Sequence, residues 1–156
     1  KADLDAMSLP TTLPGSTIIN RPVEIAGGTY HITCASVGNP HCVVFCDDPS
    51  ALDLETLGPK FERASYFPER INTEFVRIVN EDTLRMRVYE RGNGETVACG
   101  TGACAAVIAA TENGFVEKGK DITVKLVGGD LVVKYTDHEV ILTGDAVLVY
   151  EGVVEY

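Results

Sequence analysis

Residues 100–111 read Gly-Thr-Gly-Ala-Cys-Ala-Ala-Val-Ile-Ala-Ala-Thr, and Asn113-Gly114 follows almost at once. An alanine-rich run with a glycine just past its end predicts a helix with a C-terminal stop. Its circumference is what constrains the fold. Ala103, Ala105, Ala106, Ala109 and Ala110 leave no polar face to turn toward water. Such a helix must be buried, and its small side chains let neighbouring strands approach closely. The sequence therefore predicts a helix enclosed by sheet.

The rest of the chain supplies that sheet. An irregular lead-in over residues 1–15, punctuated by Pro10, Pro14 and Gly15, gives way to a β-like pattern from Ser16 to Asp47. Tyr30–Val37 and His41–Cys46 read as strands, with Gly38-Asn39-Pro40 as the turn between them. Leu52, Leu54, Leu57 and Phe61 lie among charges over residues 50–65. Asp53 is placed to cap a short helix there, which Gly58-Pro59 is expected to interrupt or split. Asn72–Val79 and the alternation of Leu84, Met86 and Val88 form a hairpin about Asn80-Glu81-Asp82. After the helix, strands are expected at Ile122–Val127, Leu131–Tyr135, Val140–Leu142 and Ala146–Tyr150, with turns at Gly128-Gly129 and Thr143-Gly144-Asp145. The expected class is α+β: β-rich, mostly antiparallel strands wrapped around one central buried helix, as a single domain over residues 1–156.

Composition narrows the function. A net charge of −10 and a pI near 4.6 disfavour nucleic acid and anionic lipid as partners. No apolar run approaches the ~18 residues of a membrane helix. No secretory leader pattern is visible. The five cysteines, an odd number at irregular spacing and without a Cys-x-x-Cys pair, do not form a disulfide framework. A reducing, cytoplasmic setting is expected.

The densest chemistry lies in Tyr89–Cys104, YERGNGETVACGTGAC: a strand end, a glycine-rich loop and a helix start. Cys99 falls at the helix N-terminus, where unpaired amides and the dipole favour an anion. A lowered thiol pKa is expected there. Gly100 and Gly102 leave the amides unshielded, so a carboxylate or phosphate can dock beside the sulfur. Such a pairing suits nucleophilic attack on a carbonyl, or proton abstraction next to a carboxylate. Glu90-Arg91 can clamp a zwitterion, with a surface ion pair as the plainer alternative. Asn39 and His41 lie in or beside a rigid Asn-Pro turn, equally readable as substrate contacts or as a plain turn followed by a satisfied histidine. Asn72, on its own, reads as a strand cap. A zinc site built from His31, Cys34, His41, Cys42 and Cys46 is rejected on spacing, and because alternation sends His41 and Cys42 to opposite faces. Cys34, Cys42, Cys46 and Cys104 are assigned to the core. Gly92-Asn93-Gly94 lacks the signature of a nucleotide loop.

GNPHCVVF, INTEFV, YERGNGETVACGTGACA and TGDAVLVYEG together resemble the C-terminal half of the diaminopimelate epimerase family, from about Gly38 to the chain end. The resemblance implies a cofactor-free epimerase acting on the small amino acid diaminopimelate, in lysine and peptidoglycan-precursor synthesis. Two cysteines face each other across the α-carbon, one as base and one as acid, and preorganised electrostatics stabilise the developing charge. Carried over residue by residue, Cys99 is the proton donor or acceptor of this half. Gly100 and Thr101 hold the α-carboxylate. Glu90 and Arg91 hold the amino group and the distal end. Asn39 and Asn72 contact substrate, and His41 with Glu90 tunes the cysteines. No metal is implied.

The family's chains are about twice this length, with two similar halves that each give one cysteine. This sequence has one such loop and begins at Lys1. The resemblance therefore implies a C-terminal half separated from its N-terminal half, inactive alone, with that half as its partner and a homodimer as a further possibility. Two alternatives stay open. One is a related proline or hydroxyproline racemase, or a phenazine-pathway isomerase, on the same fold. The other is a binding module that keeps the anion nest without chemistry.

Overall fold

The computed structural model describes residues 1–155; Tyr156, the last residue of the expected domain, lies outside them. Nine strands form one mixed sheet. They are β1 (Arg21–Ile25), β2 (Gly28–Ser36), β3 (Pro40–Phe45), β4 (Asn72–Asn80), β5 (Thr83–Glu90), β6 (Gly94–Thr96), β7 (Asp121–Leu126), β8 (Gly129–Tyr135) and β9 (Val140–Thr143). The order runs β1-β2-β3-β4-β5-β7-β8-β9, with β6 paired to β5 off this path. Two pairs are parallel, β3 with β4 and β5 with β7. Each of these spans a helical crossover: α1 (Leu54–Glu62) joins β3 to β4, and α2 (Gly100–Glu112) lies between β5 and β7. All other pairs are antiparallel.

The predicted helix is α2, and the sheet curls around it. Every residue from Gly102 to Ala110 is buried, so the helix has no water-facing side. It rests against β2–β5 and β7–β9. Ala35, Val43, Val76, Met86, Val88, Ile122, Val124 and Val133 pack on it from the strands. Its far end is tied down by Asn113, whose Nδ2 donates to Thr33 Oγ1 at 2.9 Å and to the Ala109 carbonyl at 2.7 Å.

The opposite face of β1–β4 carries a second core that the hydropathy pattern did not separate from the first. Ile18, Val23, Ile32, Cys34, Cys42, Val44, Phe61, Phe67 and Phe75 belong to it. Phe61 of α1 stands edge-on to Tyr30 at 4.9 Å and to Phe75 at 5.2 Å. Strands covered on both faces lose the two-residue alternation, which explains why His41–Cys46 reads as a nearly continuous apolar run. Cys34, Cys42 and Cys104 are buried, whereas Cys46 is half-buried.

Two expectations are corrected. Gly58-Pro59 does not split α1. Asp53 caps the helix by accepting from the Thr56 amide at 3.2 Å, and the helix continues through Pro59 to Glu62. Gly58 is a packing site, since a Cβ there would overlap the Tyr89 ring. Ala146–Tyr150 is not a strand either: all five residues are exposed and unpaired. Alternation supplies a pattern, but a strand also needs a neighbour for its backbone groups, and none lies beside this segment. Among the described residues no helix is long and apolar enough to cross a membrane.

The close approach at Gly58 reverses a propensity rule. Helix propensity alone predicts that Gly58→Ala gains about 1 kcal/mol. Overlap with the half-buried Tyr89 ring should instead cost about 1–3 kcal/mol. Urea unfolding should show a lower midpoint for the variant.

Candidate active site

Parallel pairing assembles the site. It sets His41, at the start of β3, beside Asn72, at the start of β4. The antiparallel β4–β5 pair sets Thr73 opposite Tyr89, so Glu90 ends its strand near the same place. The N-terminus of α2 meets this edge. Residues up to 62 positions apart thus come within hydrogen-bonding range.

Cys99 is the N-cap of α2, with extended backbone (φ −144°, ψ 108°). Its Sγ accepts from the Gly102 amide at 3.3 Å, which satisfies one of the helix's orphan donors. Thr101 Oγ1 lies 3.5 Å from Sγ and accepts from Asn39 Nδ2 at 3.2 Å. The Gly100 and Thr101 amides stand in the first turn, where no intrahelical acceptor exists. A thiol, two free amides and a hydroxyl therefore share one helix end, and an anion bound to the amides would lie beside the sulfur.

Behind this end lies a carboxylate that the sequence reading missed. Glu74 of β4 is fully buried, and its Oε1 is 2.6 Å from Nδ1 of the equally buried His41. A Cβ placed on Gly102 would stand 2.8 Å from Glu74 Oε1 and 3.2 Å from Cys99 Sγ. The glycine at 102 thus makes room for the carboxylate and the sulfur together. The signal was present in Asn72-Thr-Glu-Phe-Val76: Glu74 is in phase with the inward-facing Val76.

The other expected residues divide. Asn72 uses both ends of its carboxamide within the protein, donating to the Pro40 carbonyl at 2.8 Å and accepting from the Arg91 amide at 2.9 Å. It ties β3 to the end of β5. Glu90 is half-buried and accepts from Thr96 Oγ1 at 2.5 Å. Arg91 is exposed, with Nη1 donating to the Glu69 carbonyl at 3.2 Å. No salt bridge joins Glu90 to Arg91 among the described residues. A further unanticipated residue, buried Glu62, accepts from the Gly92 amide at 2.7 Å and so fixes the start of the glycine loop. Nothing in its local sequence marked it.

The expected lowering of the Cys99 pKa is also corrected. Burial pushes the thiol up. The Thr101 hydroxyl and the Gly102 amide oppose this, and the nearby Glu74 and Glu90 carboxylates add to it. A helix end favours a thiolate, but this one is half-buried and flanked by negative charge. Two clefts of the surface, one lined by Phe45, Cys46, Asp47, Arg77 and Ile78 and another by Arg85–Arg87 and Lys125–Val127, do not include Cys99.

Iodoacetamide alkylation of Cys99 should accordingly show a midpoint above the ~8.5 of a free cysteine; a lower midpoint would mean that the helix end outweighs burial. Cys46 is pushed up to about 11 by burial and by Asp47 and Asp48. Both thiols have folded values above their unfolded ones, so their contribution to stability is intact below the unfolded value and is lost as pH rises through the folded one. Denaturation midpoints should fall between about pH 9 and 11, and mutation of Cys46 to Ala should flatten that fall.

Comparison with known proteins accords with this geometry. Residues 33–149 match the family model described as diaminopimelate epimerase. The diaminopimelate epimerase of Nostoc punctiforme is 46% identical over 151 residues, which cover 94% of this chain and 53% of the relative. That of Bacillus cereus is 53% identical over 128 residues, 81% of this chain and 44% of the relative. The chain spans about half the length of the curated relatives it matches. A probable proline racemase from Agrobacterium radiobacter superposes with a TM-score of 0.57 at 14% identity, over 76% of this chain and 41% of that one. A hydroxyproline epimerase from Agrobacterium vitis gives 0.54 at 16% identity, over 76% and 40%. These two share the fold, and the closer sequence matches place the chain: it belongs to the diaminopimelate epimerase family.

Proposed function

We propose that this chain is the C-terminal half of a cofactor-independent diaminopimelate epimerase and supplies one of its two acid–base cysteines. The observation that carries this reading is Cys99 at the cap of α2, beside the open amides of Gly100 and Thr101. The substrate α-carboxylate docks on those amides, which places the α-carbon against Sγ. A cysteine from the N-terminal half faces the opposite side of that carbon. One sulfur, as thiolate, takes the α-proton; the electron pair left behind is delocalised into the carboxylate; the other sulfur, as thiol, delivers its proton to the opposite face. The configuration inverts, and the two thiols have exchanged protonation states. The amides of the helix end stabilise the charge that develops on the carboxylate oxygens.

The remaining residues take supporting parts. Glu90 receives the substrate ammonium group, and Arg91 at the rim receives the distal end. Asn39 reaches the same space through Thr101. Asn72 acts through the backbone it ties and so sets the position of Arg91. One wall alone cannot hold an α-carbon between two sulfurs, so this chain by itself neither epimerises nor binds substrate tightly.

The test uses the uncut gene product, reduced, in D2O, followed by NMR. Deuterium should enter the α-position of L,L-diaminopimelate and not that of proline. Cys99→Ala should lower the rate about 10²–10⁴-fold, and the chain alone should show none. Label in proline, or in neither amino acid, would defeat the assignment.

A further inference from the structure

We propose that Glu74 is a positioning residue of this site: its buried carboxylate holds His41 through Nδ1, leaves Nε2 as the free ring nitrogen, and acts on Cys99 across the space that Gly102 leaves open. The proposal rests on the reading of Cys99 as an acid–base thiol.

Placement gives the first argument. Glu74 lies in a strand whose neighbours Thr73, Phe75 and Val76 are all fully buried. An ionisable side chain there costs more than an apolar one of similar volume unless something compensates. The fold has no need of it, since valine and methionine fill the same face of β4 and β5 against α2. Among the described residues the hydrogen bond to His41 is the only one the Glu74 side chain makes; Oε2 and His41 Nε2 are buried with no partner there. A buried pair with one open atom on each member, set against a reactive thiol, suits function better than stability.

Tautomer gives the second. A carboxylate at Nδ1 requires that this nitrogen carry the proton. His41 therefore presents Nε2 in one defined state. Without Glu74 both tautomers are open to the ring and its orientation is no longer fixed.

Space gives the third. Gly102 lies in the first turn of α2, at the point where both Glu74 Oε1 and Cys99 Sγ lie within 3.2 Å of a would-be Cβ. The charged and titratable groups that bear on Cys99 are Glu74 on β4, Glu90 on β5 and Cys104 on α2, and His41 on β3 reaches it only through its hydrogen bond to Glu74. Glu74 and Glu90 both push the thiol up, so removal of the Glu74 charge must move it down.

Glu74→Gln in the uncut gene product tests this, because the amide oxygen still accepts from Nδ1 while the charge is gone. Two readouts are taken. Alkylation of Cys99 by iodoacetamide, followed against pH by fragment-resolved mass spectrometry, should shift its midpoint down by roughly one unit. Turnover of diaminopimelate should fall about 10- to 100-fold in kcat with KM little changed. Glu74→Leu should lose more, and if it fails to fold the Gln variant still decides. A merely structural role would lower thermal stability and leave the alkylation profile of the folded protein in place. An unchanged profile, or an unchanged kcat, overturns the proposal. A wild-type gene product that exchanges no deuterium, together with a shifted profile in Glu74→Gln, defeats the substrate assignment but upholds the link from Glu74 to Cys99.

Discussion

A helix with no side facing water can present only its ends. This is the constraint that shapes the molecule. Because α2 carries mostly small side chains, the sheet can close around it to van der Waals contact, and Gly102–Ala110 disappear into the core. Its C-terminal end is tied by Asn113 to Thr33. Its N-terminal end, capped by Cys99, is left open at the sheet edge. An enclosed helix thus leaves its first amides and its cap as the only reactive part. Burial of the rest keeps that part from moving, because shifting α2 would break packing against seven strands at once.

The topology then brings the remaining chemistry to the same end. Two parallel pairs, each bridged by a helix on a different face, return the chain so that β3 and β4 both start, and β5 finishes, where α2 begins. His41, Asn72 and Glu90 gather there although tens of residues separate them. Asn72 bonds on one side to the Pro40 carbonyl and on the other to the Arg91 amide. Its carboxamide replaces the ladder hydrogen bonds that the strand ends cannot make with each other. The bland reading of Asn72 as a strand cap thus has a structural basis: the residue holds the backbone on both sides of the candidate site.

How much was legible follows from range. The enclosed helix was, because alanine content and a stop glycine are local facts. The hairpins were, because turn residues and alternation are local too. The second core was not. Strands covered on both faces look like short apolar runs, and only α1 and the lead-in segment, folded over β1–β4, show what covers them. Gly58 was misread for the same reason: a glycine in a helix reads as weakness until Tyr89 is seen against it. The segment at Ala146–Tyr150 has the right alternation without a neighbour to pair with. In the site, the motif pointed to Cys99, Thr101 and Asn39, which the structure brings together, whereas Glu74 passed as an ordinary strand residue because charges are usually solvated. The sign of the Cys99 shift failed because burial and two carboxylates from other strands decide it, and neither is visible in the local sequence.

That sign changes the view of the site. A bare helix end beside a cysteine makes a standing thiolate. Here the amides that favour the anion are opposed by burial and by Glu74 and Glu90, and the balance pushes the thiol up. Under the proposed function this is an advantage. A two-thiol exchange needs one sulfur protonated and one not, and the two must trade states in each turnover. A wall that made its sulfur permanently anionic could take a proton but would return it poorly. Carboxylates on one side and helix amides on the other hold Cys99 between these extremes. On the same proposal, an ammonium group at Glu90 would offset one of the charges that push Cys99 up, and so ease loss of the thiol proton when substrate is present.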